Sequence, residues 1–167
     1  MLSLNLLEDT LLNFDFPQQA TRKNVMEKGQ LSYSGFVVGM INSWAHADKE
    51  GGKQRPHRRD RTKKYHFFQT LATFVFNQHH PEFPFTTIQV NKNQQMKKHK
   101  DGNNVGESYI VGVGDYQGGE LIVYDEFGEN PKKIDIKHKF YKFNGSIYPH
   151  ETAPFTGDRI TLVFFSI

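Results

Sequence analysis

The sequence contains no cysteine, and none of its apolar runs is long. Without cysteine, disulfide frameworks, thiol catalysis, iron–sulfur clusters and Cys-ligated zinc sites are excluded, so any metal must be held by histidines and carboxylates. The apolar runs fall short of the roughly 18 residues of a membrane span, and the leucine-rich N-terminus lacks the early positive charge of a signal peptide. We therefore expect a soluble intracellular protein with no membrane partner, and a monomer by default.

The composition is that of a folded protein. Of the 167 residues, 37% are hydrophobic and 23% are charged, and the hydrophobic share is rich in aromatics, with 15 Phe and 7 Tyr. These proportions exclude wholesale disorder. A chain of this length fits one domain with a single core, so we predict a single domain over residues 1–167.

Positive charge is concentrated in one segment, residues 46–65. This segment holds eight Lys and Arg against three acidic residues, a net charge of +5, whereas the rest of the chain carries −2. Gly51, Gly52 and Pro56 predict a loop here. Lys and Arg neutralise phosphates and release counterions, so residues 53–64 are a candidate nucleic-acid contact, with Arg58 and Arg59 as candidate substrate residues. The alternative is a surface loop whose charge only keeps the protein soluble.

Residues 1–85 are interpreted as a support for the rest of the chain. Leucines recur between residues 2 and 12, compatible with a strand leading into a short helix, and residues 36–44 form an apolar run typical of a strand. Apolar residues at 67, 71, 74 and 75 have helical spacing, which predicts an amphipathic helix over 63–78. Pro81 and Pro84 cannot continue that helix.

Short β-rich runs dominate residues 86–167. Segments rich in Gly, Asn and Asp separate the runs 86–90, 108–113, 120–124, 133–136, 140–143 and 159–165. Gly118 and Gly119 predict one tight turn with positive φ. Short strands at this spacing predict an antiparallel barrel. The predicted fold class is mostly β, a double-stranded β-helix of the jelly-roll or cupin-like type over 86–167, backed by one or two α-helices.

Three potential metal ligands lie in this β-rich half. His99 and Asp101 are separated by one residue, and in an extended strand residues i and i+2 point to the same face. His150 comes 49 residues later, just before another predicted strand. Two imidazoles and one carboxylate make the facial triad of non-haem Fe(II) oxygenases, which leaves coordination positions open. The sequence therefore predicts a metal site at these three residues.

Arg159 predicts an anion site beside the metal. It starts the alternating run 159–165, so its side chain is expected to point into the barrel, where an unpaired charge would be very costly. A dicarboxylate bound end-on to the metal supplies the partner, since Arg binds a carboxylate in bidentate fashion. Thr161, on the same face, can donate its hydroxyl to the same carboxylate. The alternative is an Arg at the rim of the barrel, paired with an acidic side chain of the protein.

The combination of His99-x-Asp101, His150 and Arg159-x-Thr161 on a double-stranded β-helix resembles the Fe(II)/2-oxoglutarate-dependent oxygenase superfamily. The resemblance covers residues 86–167. Within it, residues 91–123 are similar to the TET and base-J type nucleobase oxygenases, and residues 148–165 are similar to prolyl hydroxylases.

The resemblance implies a dioxygenase with Fe(II) as its metal and with 2-oxoglutarate and O2 as cosubstrates. Arg159 and Thr161 would bind 2-oxoglutarate. Tyr109 is a further candidate contact to it, with a tyrosine of the core or of the barrel rim as the alternative. Asn103 and Asn104 follow Asp101 after Gly102 and are candidate contacts to substrate or cosubstrate. The alternative is that they serve a Gly-flanked turn through the left-handed conformation that Asn tolerates. We expect a macromolecular substrate, and favour a nucleic-acid base such as a 5-methylpyrimidine.

Three other functions compete with this one. The first is a peptidyl hydroxylase of the prolyl type, which uses the same site residues. The second is a non-catalytic jelly-roll or cupin-like binding module, and the third is a metal hydrolase or isomerase on the same three ligands. The last two give Arg159 no role.

Overall fold

The computed structural model describes residues 4–20, 22–43, 55–58 and 61–167. Its helices are α1 (Leu4–Leu12), α2 (Arg61–Lys64) and α3 (His66–His79), with one 3-10 turn at Lys23–Val25. The helix predicted over 63–78 corresponds to α3. The leucine-rich N-terminus is helical from Leu4 and has no strand before the helix in its described part. Leu7 and Leu11 lie one helical turn apart and are both buried, which is the spacing that a helix needs to bury one face.

The strands of the described chain follow in sequence order. They are β1 (Gln18–Gln19), β2 (Tyr33–Ser43), β3 (Arg55–Arg58), β4 (Thr87–Lys92), β5 (Ser108–Val113), β6 (Tyr116–Gly118), β7 (Leu121–Val123), β8 (Lys132–Ile134), β9 (Tyr141–Phe143), β10 (His150–Thr152), β11 (Phe155–Gly157) and β12 (Ile160–Phe165). The predicted runs correspond to β4, β5, β7, β8, β9 and β12.

Three antiparallel sheets organise these strands. The large sheet has the order β1-β2-β4-β12-β5-β9, with β3 added to β2. A three-stranded sheet has the order β10-β7-β8, and β11 pairs with β6. The fold is thus mostly β and antiparallel with two longer helices, as the sequence predicts. The sequence did not predict β6 and β11, which are only three residues long and rich in glycine and polar residues.

The two faces of the large sheet have different environments. On β12, Ile160, Leu162 and Phe164 point to one face and pack with α1 and α3 in the main hydrophobic core. Thr161 and Val163 point to the other face and line a cavity. This alternation follows from the two-residue period of a strand, so one strand serves both the core and the cavity.

The cavity lies between the large sheet and the three-stranded sheet. Both sheets contribute to its lining, for example Ile110 of β5 and Leu121 of β7. These two residues also belong to a second, smaller cluster of buried apolar side chains, together with Ile136 and Phe143. The cluster holds the two sheets together beside the cavity.

None of the described helices has the length and apolar character that a membrane span requires.

Candidate metal centre and cavity

The three predicted metal ligands come together at one point of the cavity wall. His99 and His150 form an isolated antiparallel bridge, in which each backbone N–H donates to the other residue's carbonyl, at 3.0 and 2.9 Å. Asp101 follows His99, and its own N–H donates to the Gly145 carbonyl at 2.9 Å. One ligand atom from each of the three side chains lies within 4.8 Å of the others. His99 lies in this bridge rather than in a regular strand, yet the i and i+2 side chains converge as predicted.

Backbone carbonyls orient both imidazole rings. The Nδ1 of His99 lies 2.5 Å from the Lys97 carbonyl oxygen, and the Nδ1 of His150 lies 3.0 Å from the Tyr148 carbonyl oxygen. A carbonyl can only accept, so Nδ1 is the donor in each ring and Nε2 is the atom that can bind a metal. The two Nε2 atoms lie 3.5 and 3.4 Å from oxygens of Asp101. The donor set is therefore two imidazole nitrogens and a carboxylate, which suits a divalent transition metal.

The Asp101 carboxyl is ionised in this environment. Burial opposes the charge, but hydrogen bonds from His150 and His99 and the positive charge of Arg22 outweigh burial. Together they hold the pKa of Asp101 well below its usual range. Ionisation leaves the carboxylate ready to bind a cation without first losing a proton.

Arg159 is a buried cation that faces the cavity. Its side chain is 3% exposed and its Nε donates to the Gly119 carbonyl at 3.0 Å, while the guanidinium lies near the rings of Tyr116 and Phe155. Within the described part of the chain it forms no ion pair. Burial lowers the pKa of this guanidinium to about 10, although Tyr116 and Glu120 act in the opposite direction. An uncompensated buried charge of this kind favours an anionic ligand.

Polar side chains continue from Arg159 across the cavity face of the large sheet. Thr161 is 3% exposed, and its hydroxyl accepts a hydrogen bond of 3.4 Å from Asn91 Nδ2. The amide of Gln89 donates to Asn91 Oδ1 at 2.9 Å. Sequence reasoning found Thr161 but missed Gln89 and Asn91. The signal was present, because Thr87, Gln89 and Asn91 alternate with apolar residues along β4 and so share one face.

The cavity has a volume of about 480 Å³ and is lined by the metal-ligand triad, Arg159 and Thr161. Asn103 and Asn104 also line it, so the structure brings these two predicted substrate residues to the site. Carboxamide side chains are frequent in the lining, which includes Gln19, Asn24, Asn42, Gln89, Asn91, Asn103 and Asn104. The described lining of the cavity thus offers many groups that both donate and accept hydrogen bonds.

Tyr109 does not line the cavity. It lies on the helix face of the large sheet, where its ring stacks on His80 with centroids 4.1 Å apart and contacts Phe76 and Phe83. The predicted contact between Tyr109 and the cosubstrate is therefore not retained. In a strand that is apolar on both faces, hydrophobicity does not reveal which residues point to which side, and β5 is such a strand.

The described part of the basic segment runs beside the cavity wall. β3 pairs with the end of β2, with Arg58 opposite Met40 and Pro56 opposite Asn42. Met40 and Asn42 line the cavity. Arg59 and residues 46–54 lie outside the described residues.

No model of a protein family matches the sequence, and no curated protein matches it. Solved structures do match in fold. An oxidoreductase of the 2OG-Fe(II) oxygenase family from Burkholderia pseudomallei superposes with a TM-score of 0.56 at 16% identity, covering 97% of this chain and 76% of that chain. A prolyl hydroxylase from Trichoplax adhaerens, in complex with a peptide fragment of the oxygen degradation domain of hypoxia inducible factor, gives a TM-score of 0.53 at 12% identity and covers 97% and 75%.

NgTET1 in complex with 5mC DNA is a further match, with a TM-score of 0.51 at 15% identity. The superposition covers 79% of this chain, which spans only 60% of the length of the NgTET1 chain. The fold is that of the 2OG-Fe(II) oxygenases, as the sequence resemblance indicates. Structures bound to DNA and to a peptide both occur among the matches, so the fold by itself does not select a substrate.

Proposed function

We propose that the chain, as a single domain over residues 1–167, is an Fe(II)- and 2-oxoglutarate-dependent dioxygenase that hydroxylates a base of a nucleic acid. The observation that carries the proposal is the presence, in one cavity, of the His99-Asp101-His150 triad and of Arg159, a buried guanidinium without an ion-pair partner in the described chain. A structural metal site or a hydrolase would have no use for such a cation. A dicarboxylate cosubstrate would pair with this cation through its distal carboxylate.

His99, Asp101 and His150 would hold the Fe(II). The carbonyl contacts to both Nδ1 atoms would keep the rings fixed and leave Nε2 as the atom that binds the ion. When bound, the iron supplies the O2 chemistry in which 2-oxoglutarate is split into succinate and CO2 and one oxygen atom is inserted into a substrate C–H bond. With three protein ligands, coordination positions would remain available for the cosubstrate and O2.

Arg159 would bind the distal carboxylate of 2-oxoglutarate, with Thr161 as a hydroxyl donor. Asn91, which donates to the Thr161 hydroxyl at 3.4 Å, would keep that hydroxyl's proton directed at the carboxylate. The pairing relieves the cost of burying the guanidinium, which makes cosubstrate binding favourable and fixes its orientation.

Two observations support a nucleic-acid base as the substrate. The carboxamides of the lining offer paired donors and acceptors, which is the chemistry that reads the edge of an unstacked base. β3 brings the backbone of Arg55–Arg58 next to the cavity wall, and basic side chains at that place would contact phosphates. Asn103 and Asn104 are the nearest candidates for base contacts beside the metal ligands, and Arg58 and Arg59 for phosphate contacts.

The first test is an anaerobic titration of the Fe(II)-loaded protein with 2-oxoglutarate. We expect the weak visible charge-transfer band of the chelate, and succinate once O2 is admitted. Asp101→Ala should abolish metal binding and turnover, because it removes the anionic ligand. Arg159→Ala should raise the 2-oxoglutarate requirement by orders of magnitude with nearly unchanged metal affinity. Lys137→Ala is the matched control, since Lys137 also contacts the Tyr116 ring but does not line the cavity.

Metal binding without the band would contradict the dioxygenase and favour the binding module. The substrate is tested separately, by succinate release in the presence of single-stranded and duplex oligonucleotides carrying 5-methylpyrimidines and of proline-containing peptides. We expect release above the uncoupled background, and a mass gain of one oxygen atom, only with the oligonucleotides. Coupled turnover with a peptide instead would contradict nucleobase oxidation and favour the peptidyl hydroxylase.

A further inference from the structure

An arginine from the N-terminal half of the chain contacts the metal site. Nη2 of Arg22 lies 3.1 Å from Oδ1 of Asp101, 79 residues away in sequence. The Arg22 side chain is 30% exposed and lines the cavity, whereas Asp101 is 16% exposed. This is a charge-assisted hydrogen bond to a predicted metal ligand, made by a residue outside the β-rich region that carries the sequence resemblance.

The bond distinguishes the two oxygens of the Asp101 carboxylate. Oδ1 accepts from Arg22 and lies 3.5 Å from His99 Nε2, while Oδ2 lies 3.4 Å from His150 Nε2. A carboxylate can bind a cation through one oxygen or through both. The hydrogen bond from Arg22 occupies a lone pair of Oδ1 and so weakens this oxygen as a metal ligand. Oδ2 is therefore the better ligand, and the same hydrogen bond fixes the rotation of the carboxylate group.

The segment that carries Arg22 is firmly attached to the chain before the triad. Val25 and Met26 are buried, and the Val25 carbonyl accepts a hydrogen bond of 3.1 Å from the Lys97 backbone N–H. The Gln30 amide also donates to Gln94 Oε1 at 2.6 Å, and within the segment the Tyr33 hydroxyl donates to Gln19 Oε1 at 2.9 Å. The guanidinium is therefore brought to Asp101 by an anchored backbone rather than by a free surface loop.

Tyr33 is a second neighbour of the Arg22 guanidinium. The phenol is 4% exposed. Burial raises the pKa of Tyr33, while the charge of Arg22 and its hydrogen bond to the phenol oppose that increase. Arg22 thus interacts with a buried phenol as well as with the Asp101 carboxylate.

We propose that Arg22 is a positioning residue of the metal site, which fixes Asp101 so that it binds the metal through a single oxygen. The inference rests on the proposed function only in that the triad binds a divalent cation. It assigns residues 18–33 a part in the site, beyond the supporting role that sequence interpretation gives to the first half of the chain.

Two effects of Arg22 on metal affinity have opposite signs. Its positive charge repels the cation, and its hydrogen bond orients the ligand. Partial exposure lets water and salt screen the repulsion, whereas the orientation of the carboxylate is not screened. Loss of a partner that orients a metal ligand typically weakens metal binding by about 10–100-fold. We therefore expect orientation to dominate.

The experiment titrates the full chain with Co(II), which replaces Fe(II) as a probe, and records the d–d absorption of the bound ion. Arg22→Met should weaken Co(II) binding by about tenfold or more and change the d–d spectrum, because the carboxylate can then rotate and bind through both oxygens. Arg22→Lys keeps the charge and one donor, and should restore most of the affinity and the spectrum. Lys23→Met is the matched control, since it removes a neighbouring exposed charge that makes no contact with Asp101.

The outcomes separate this inference from the proposed function. Wild-type protein that binds Co(II) and 2-oxoglutarate, together with an Arg22→Met variant that binds Co(II) within twofold of wild type, would overturn the positioning role alone. Tighter binding with an unchanged spectrum would also overturn it, because Arg22 would then act only by its charge. If the wild type binds no Co(II), the proposed function itself fails. Should Arg22→Met prove unfolded by circular dichroism, Arg22→Gln takes its place, because it removes the charge and shortens the side chain while it stays polar. Co(II) binding by Arg22→Gln within twofold of wild type, with an unchanged spectrum, would then overturn the positioning role.

Discussion

The absence of a side chain at Gly119 leaves space for the charged side chain of Arg159. A Cβ at position 119 would lie 2.6 Å from Nε and 2.7 Å from Cδ of Arg159, and Gly119 has a φ of +69°. Its carbonyl also accepts the Nε–H of Arg159. The turn predicted from Gly118 and Gly119 is present, with positive φ at both residues. The second glycine therefore has a role beyond the turn, since it leaves the space in which the guanidinium lies.

The first prediction concerns this space. Gly119→Ala should displace Arg159 and raise the dissociation constant of 2-oxoglutarate by tenfold or more, at an unchanged affinity for the metal. The measurement is the anaerobic titration of the charge-transfer band. Gly106→Ala is the control, because Gly106 has a similar φ of +72° but nothing within 4 Å of its added Cβ. Equal effects of the two substitutions would mean that backbone strain, and not the contact with Arg159, causes the loss.

Among the secondary-structure elements, helix α1 is attached to the rest of the fold by the carboxylate of Glu8. Glu8 of α1 accepts a hydrogen bond of 3.0 Å from the Gly114 backbone N–H and contacts the His138 imidazole. Burial raises the pKa of Glu8, but these two hydrogen bonds outweigh it and the net pKa lies below the ordinary value of 4.5. The carboxylate thus fastens α1 to the turn that follows β5, on the side of the sheet away from the cavity.

The second prediction follows from that lowered pKa. A carboxyl that ionises more readily in the folded protein stabilises it above the pKa of the unfolded chain, and the stabilisation is lost as the pH falls through the folded pKa. Glu8→Gln should therefore lower the free energy of unfolding by about 1 kcal/mol at pH 7, and the difference from wild type should vanish towards pH 3. Urea unfolding across this pH range measures it. Asp9→Asn, one residue along on the exposed face, should show no such pH-dependent difference.

Elements that follow a simple period were predictable from the sequence, and the irregular ones were not. α3 and β12 have clear helical and strand periods over six or more residues. The N-terminal leucines are ambiguous, since adjacent leucines at 6 and 7 and at 11 and 12 fit more than one pattern. β6 and β11 exist because they pair with each other, across 36 residues or more of sequence, and their composition alone carries no strand signal.

At the scale of the whole molecule, the distribution of charge sets the expected partner. The chain carries +3 overall, but residues 46–65 carry +5 and the remainder −2. Since β3 places part of this basic segment beside the cavity wall, a polyanion attracted to it would lie near the metal site. Long-range attraction of this kind raises association rates and is sensitive to salt.

The third prediction tests this arrangement. Replacing Arg55, Arg58, Lys63 and Lys64 by Gln should weaken binding to single-stranded DNA and reduce the slope of log affinity against log salt concentration by up to about 3. The charge-transfer titration with 2-oxoglutarate should stay unchanged, because the proposed binding of 2-oxoglutarate depends on the triad, Arg159 and Thr161 and not on these four residues. Fluorescence anisotropy at several salt concentrations provides the measurement.

The control variant carries the same number of substitutions elsewhere, with Lys23, Lys28, Lys132 and Lys133 replaced by Gln. Both variants change the net charge from +3 to −1, so a general charge effect would weaken DNA binding equally in both. That result would contradict a localised nucleic-acid contact. A larger effect of the first variant is the expected outcome.

The sequence by itself determined that the fold is mostly β with supporting helices, and it predicted the three candidate metal ligands and the common face of Arg159 and Thr161. Each of these depends on a short period or on residue chemistry within a few positions, which a sequence displays directly. The tertiary structure decided which face Tyr109 takes, that Gly119 leaves the space for Arg159, and that Arg22 contacts Asp101. Those features arise from packing between segments up to 79 residues apart, and local patterns do not encode which distant segments meet.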